Sequence, residues 1–241
     1  MKFTNKEIYK GLAVCTNNFH DLTVALEAHL ENKKRLRIVT INPEMLVAAD
    51  QNQEFFKAVK AADLVIPDGM GIVLLLKKKG AKDATRVPGI ELSWKALELA
   101  IQQNLPIAII GSTDSALEGS LKTITEKLGK PNLIYSHNGF FDEKEKLQIQ
   151  NVLFETKPAL VLVAMPFIKQ EIFLAELFEK GLNAIAFGVG GSLDVWSGKV
   201  ERAPLTFQRL GLEWLWRVLG QPERFSRLLK TLLPFVRIYF S

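Results

Sequence analysis

Short apolar runs alternate with stretches of helical spacing along most of the chain, and tight turns join them. Leu36-Arg37-Ile38-Val39-Thr40-Ile41, Leu64 to Pro67, Pro106 to Ile110, Ala159 to Ala164 and Asn183 to Phe187 read as strands, so apolar that burial on both faces is expected. Gly11 to Thr16 and Leu133 to Ser136 read as further short strands. Helices are predicted over Asp21 to Glu31, Pro43 to about Ala62, from near Gly69, Ile90 to Asn104, the run ending at Leu128, Asp142 to Thr156 and Lys169 to Lys180. Such a chain folds as α/β: a Rossmann-like, mostly parallel sheet covered by helices on both faces. No internal repeat competes with that reading.

After Gly198 the alternation stops. Phe207 to Leu219 and Glu223 to Phe240 read as two helices around Gly220-Gln221-Pro222, with no further strand. This divides the chain into a Rossmann-like α/β catalytic domain over residues 1–196 and a basic amphipathic helical appendage over 197–241. Charge marks the same division. Eight basic and three acidic residues lie between Ser197 and Ser241, so the tail carries the whole formal charge of +5, while residues 1–196 hold 23 of each sign. In the last helix Phe225, Leu228, Leu229, Leu232, Val236 and Tyr239 recur at three- and four-residue steps, apart from the arginines. A basic helix of this kind, near Trp214 and Trp216, suits an anionic bilayer surface. On pattern alone it suits packing against the sheet or another subunit equally well. Its charges form no long run, which argues against nucleic acid.

The totals exclude several classes. One cysteine, Cys15, forbids an intramolecular disulfide framework, and His20, His29 and His137 stand without ligand spacing, so no metal site is expected. No signal segment is indicated at the start, and no run offers the roughly 20 apolar residues of a spanning helix. The expected setting is cytoplasmic.

The candidate chemistry lies just past predicted strand ends. Ile66-Pro67-Asp68-Gly69-Met70-Gly71-Ile72 puts one carboxylate at a strand's carboxyl end with glycines beside it. Taken alone it is equally a turn whose aspartate caps the next helix. Thr40 and Asn42, Gly111 and Ser112, Lys169 and Gln170, and the turn Gly190-Gly191-Ser192 with Asp194 fall at the same deduced edge, where open α/β sheets bind ligands. Each has a plain structural reading as cap, surface amide or tight turn; their shared location describes a pocket for an oxygen-rich ligand. Gly188-Val189-Gly190-Gly191-Ser192-Leu193 starts like a dinucleotide fingerprint but ends in leucine and follows the last strand, which disfavours a nicotinamide enzyme. Its free amides still suit phosphate.

Thr40-Ile41-Asn42-Pro43-Glu44-Met45, Pro67-Asp68-Gly69-Met70-Gly71, Arg86-Val87-Pro88-Gly89, Lys169-Gln170-Glu171, Gly188-Val189-Gly190-Gly191, Arg202-Ala203-Pro204 and Glu213-Trp214 to Pro222-Glu223-Arg224 stand in this order over nearly the whole chain. Together they resemble the WecG/TagA/CpsF glycosyltransferase family. The resemblance implies inverting, metal-independent transfer of an N-acetylmannosamine-like sugar from a UDP-sugar to a polyprenyl-diphosphate-linked sugar, N-acetylglucosamine-like, during cell-surface polysaccharide or teichoic-acid-type synthesis. The enzyme would sit peripherally on the inner face of the plasma membrane and need no cofactor. By resemblance Asp68 is the general base, and Thr40, Asn42, Arg86 and Gln170 join it in catalysis or substrate binding. Arg217, Arg224 and Arg227 would take the diphosphate, and Asp194 the uridine. Self-association through the sheet domain is a further expectation. One departure stands out: Met165-Pro166-Phe167-Ile168 precedes Lys169-Gln170-Glu171, with Pro166 where relatives usually have the glycine and Ile168 where they have the proline of Gly-x-Pro, which bears on sugar preference more than on reaction type. The competing classes are a non-catalytic membrane-docking protein on the same fold and a nucleotide-cofactor oxidoreductase.

Overall fold

The computed structural model describes residues 3–209, 211–220 and 224–240, without the side chains of Arg209, Arg217 and residues 224–228. A hairpin comes first, β1 (Asn5–Tyr9) and β2 (Leu12–Cys15), followed by α1 (Phe19–Glu31), β3 (Leu36–Ile41), α2 (Pro43–Gln51), α3 (Gln53–Lys60), β4 (Leu64–Pro67), α4 (Met70–Lys78) and α5 (Gly89–Gln102). The second half runs β5 (Ile107–Gly111), α6 (Asp114–Leu128), β6 (Leu133–His137), α7 (Glu143–Thr156), β7 (Leu160–Ala164), α8 (Phe167–Glu179), β8 (Ile185–Gly188) and α9 (Ser192–Trp196). Helices α10 (Leu205–Arg209), α11 (Glu213–Gly220) and α12 (Arg224–Phe240) close the chain.

Six strands form one sheet in the order β4-β3-β8-β7-β5-β6, every pair parallel. Alternate residues of each strand enter opposite cores. Ile38, Ile66, Ile109, Leu162 and Phe187 face α1, α5, α6 and α9. Val39, Ile41 and Val65 face α2, α3 and α4, while Ala108, Ile110, Val161 and Val163 face α7 and α8. Both faces being covered explains why these strands are apolar at successive positions.

The expected α/β fold is therefore present, with four local differences. The hairpin β1–β2 is antiparallel and separate from the main sheet, so the strand near Gly11 to Thr16 pairs with a segment not anticipated as a strand. The helix expected over 43–62 is two helices, because Asn52 ends α2 and its side chain caps α3 at the Phe55 amide. Helix α8 starts at Phe167, two residues before the expected Lys169, with Pro166 as its N-cap. The helix expected over 207–219 is likewise interrupted, as α10 and α11.

Candidate active site

A parallel sheet delivers all its strand ends to one edge. Helices α6 and α9, which follow β5 and β8, pack on one face, whereas α2 and α8, which follow β3 and β7, pack on the other. In open α/β sheets of this kind ligands bind in the crevice outside the carboxyl ends of the strands.

Asp68 stands at its β4 end. Its amide donates to the Ile41 carbonyl at 3.0 Å, continuing the β3–β4 ladder by one residue, and Val87 N donates to the Pro67 carbonyl at 2.8 Å. The two bonds hold the Asp68 and Arg86 loops side by side. Helix α4 takes Gly69 as its N-cap with no side-chain cap bond, so the Asp68 carboxylate is not spent on capping. Arg86 grips Asp68 twice, through Nε to the backbone carbonyl and through Nη2 to Oδ1 at 3.2 Å. Its Nη1 donates to Glu213 Oε1 at 3.0 Å. Arg202 stands 3.9 Å from the same Glu213 oxygen and pairs with Glu91 at 2.5 Å. The result is a chain of alternating charge with the partly exposed Asp68 at one end.

The Asp68 side chain is 27% exposed, within reach of a ligand. Its pKa is nonetheless raised: desolvation outweighs the opposing pull of Arg86 and of the Gly89 amide, and Glu213 adds to the rise. A carboxylate kept ionisable but made more basic is what proton abstraction needs.

Thr40 and Asn42 flank this group. A Cβ on Gly89 would press on the Thr40 side chain, and one on Gly69 would press on Pro43 and Asn42. Asn42 also caps α2, its Oδ1 accepting from Met45 N at 2.9 Å. Asp68, Arg86, Thr40 and Asn42 thus come together as a cluster at the β4–β3 end.

Gln170 and Gly190 form a second group, above β8. The Gln170 side chain is buried, with Oε1 accepting from Gly190 N at 3.0 Å and Nε2 donating to Glu171 Oε1 at 3.1 Å. Both ends of this amide are engaged within the protein. Gly188 makes room for it, since a Cβ there would overlap Gln170 and Glu171. Glu171 is fully enclosed and stands 3.8 Å from the equally buried Arg37. Arg37 Nη1 and Glu171 Oε2 have no hydrogen-bond partner.

The third group sits at β5. Gly111, at φ 123°, lies so close to the Ala164 carbonyl that no side chain fits, and Ser112 follows at φ 53°. Ser112 Oγ donates to Asp194 Oδ1 at 2.9 Å, which joins the β5 loop to the first turn of α9 directly after Gly191. Asp194 is thereby more than a helix-start acid. Three strand spacings separate β3 from β5, about 14 Å, so the groups line a crevice rather than share one centre.

The side chains of Arg217, Arg224 and Arg227 lie outside the described residues. Glu91, Glu171 and Glu213 were not among the residues picked out for chemistry, yet each pairs with an arginine. For Glu171 a signal was present: an acid on the apolar stripe of a helix, opposite the one charge, Arg37, in an otherwise apolar strand run. Within the departing stretch, Phe167 and Ile168 serve packing. Both lie against the core beneath α2 and α3, with the Phe167 ring 5.6 Å from that of Phe55.

Fold and edge define a doubly wound α/β protein with a carboxylate, Asp68, held by an arginine at a strand end. The model of the glycosyl transferase WecG/TagA/CpsF family matches residues 9–241, and the chain belongs to that family. It is a glycosyltransferase.

Proposed function

We propose that the protein transfers a sugar from a UDP-sugar to a polyprenyl-diphosphate-linked sugar by a single inverting displacement, with Asp68 as the base. The observation that carries this reading is Asp68 itself: partly open, more basic than an ordinary carboxylate, and oriented by Arg86 through two bonds. In the step proposed, an acceptor hydroxyl oxygen attacks the anomeric carbon and its proton passes to Asp68. The bond from that carbon to the UDP oxygen breaks, and the electron pair leaves on the diphosphate. One carboxylate suffices, because no covalent intermediate forms. Charge on the departing diphosphate is assigned to arginines of the tail, Arg217, Arg224 and Arg227, whose forked donors suit it without a metal.

The donor would lie along the crevice, uridine toward Ser112 and Asp194, sugar toward Asp68, phosphates beneath the Gly190-Gly191 amides. An N-acetylmannosamine-like donor and an N-acetylglucosamine-like acceptor follow from the family resemblance, as does a place in cell-surface polymer synthesis.

A lipid-linked acceptor implies a membrane surface. Among the described residues no helix is long and apolar enough to cross a membrane. Instead α12 exposes Leu229, Leu232, Leu233, Val236 and Phe240, and α11 exposes Trp214. With the basic residues of the same segment, these suit docking on the anionic inner face of the plasma membrane. Residues 197–241 would then be the docking unit attached to a catalytic domain of residues 1–196.

The test is Asp68→Asn, assayed for UDP release from a UDP-hexosamine panel with a polyprenyl-diphosphate N-acetylglucosamine acceptor. Turnover should fall by roughly 10²–10⁴-fold while donor binding persists. Undiminished turnover in that variant would remove Asp68 from the role.

A further inference from the structure

The C-terminal helices meet the Asp68 loop at three points. Glu213, at the start of α11, is 8% exposed and bonds Arg86. Gly211 lies so close to Met70 that a Cβ would overlap its side chain, and the Phe235 ring of α12 stands 3.0 Å from where a Cβ on Gly71 would be. Met70 and Gly71 follow directly in the α4 turn after Asp68. The tail is therefore keyed to the loop that carries the base.

We infer that Glu213 is a positioning residue: by sharing the Arg86 guanidinium with Asp68, it lets Arg86 orient the base without neutralising it, so that docking of the tail completes the catalytic group. This rests on the reading of Asp68 as base. A lone arginine against a lone carboxylate favours the ionised acid and weakens it as a base. A second carboxylate on the arginine's other edge offsets that pull. The charged groups around Asp68 fit this scheme. Arg86 touches it, Glu213 lies beyond Arg86, Arg202 beyond Glu213 and Glu91 beyond Arg202. Arg202 adds a second cation 3.9 Å from Glu213. A tail that served only as a membrane anchor would need no acid at this position.

The experiment uses full-length protein, vesicles of equal parts phosphatidylglycerol and phosphatidylcholine, UDP-N-acetylmannosamine and polyprenyl-diphosphate N-acetylglucosamine. Wild type, Glu213→Gln and Glu213→Asp are compared for kcat and KM from pH 5 to 8, and for cosedimentation with the vesicles. Glu213→Gln should cosediment like wild type, lose about tenfold in kcat with donor KM within about twofold, and show its acid limb shifted to lower pH. Glu213→Asp, which keeps the charge, should return the limb toward the wild-type position. An unmoved limb overturns the inference, whether kcat holds or falls together with vesicle binding, since Glu213 would then be inert or a plain tether. If wild type transfers nothing, or Asp68→Asn is fully active, the base assignment fails first and this inference falls with it.

Discussion

Glu171→Gln isolates the charge buried behind the glycine turn. The native carboxyl is fully enclosed, and its pKa is pushed up from an ordinary 4.5 to about 7, chiefly because burial penalises the anion; Arg37 and the Gln170 amide pull it down without restoring it. Burial also lowers the pKa of Arg37, which the charge on Glu171 opposes. A carboxyl with a raised folded pKa binds its proton more tightly in the native state than in the unfolded chain. Its contribution is thus fully present below pH 4.5 and is lost as pH rises through 7. Between pH 5 and pH 8 the loss is on the order of 2–3 kcal/mol.

Glutamine copies the protonated acid and cannot ionise. It keeps an oxygen for Gln170 Nε2 and leaves Arg37 with its bond to the Ala58 carbonyl. Whatever Arg37 costs without an anionic neighbour is the same at every pH, and cancels when the two proteins are compared across pH. Urea unfolding at pH 5, 6, 7 and 8 should therefore show the variant gaining on wild type by roughly 2–3 kcal/mol toward the alkaline end. Half of an ion pair would be removed, with a relative gain. A gap that moves the other way would mean that attraction to Arg37 exceeds the burial penalty, and the reasoning fails. A gap that stays constant would mean that Glu171 is as fully ionised in the folded protein as in the unfolded chain over this range, which refutes it equally.

Two further substitutions separate rigid and surface parts of the molecule. Gly111→Ala forces a side chain into the left-handed region and onto the Ala164 carbonyl, so it should lower stability by about 2–3 kcal/mol, read from the urea midpoint. Leu233→Glu, at a position 77% exposed, should leave the unfolding curve within about 0.5 kcal/mol of wild type but reduce cosedimentation with anionic vesicles.

Legibility in the sequence follows from where each element finds its partners. Strands β3 and β4 coincide with their predicted spans because residues buried on both faces leave an unbroken apolar run. Strand β1, Asn-Lys-Glu-Ile-Tyr, buries only Ile8 and owes its form to pairing with β2, a tertiary fact with no local trace. The break at Asn52 did have a trace, an asparagine in front of Gln-Glu, which a long apolar spacing overrode. Strand order had none, since the crossing from β4 to β5 passes α5 over the sheet and inserts β7 and β8 between them.

The same rule sorts the site. Asp68 is legible because a strand end followed by Pro-Asp-Gly fixes its place within one stretch. Arg86 was reached through resemblance, and Glu213 stood in a matching motif without a role, since the pair spans 127 residues and neither sequence neighbourhood announces the other. Gln170 shows the limit most clearly. Its position beyond a strand placed it at the pocket edge and the resemblance marked it for catalysis or binding, yet the structure engages its oxygen with Gly190 and its nitrogen with Glu171. With both ends so held, its influence on a bound diphosphate must pass through the Gly190 backbone it orients. A change at Gln170 should then disturb donor affinity through the glycine turn, in the same way as a change at Gly188 or Glu171.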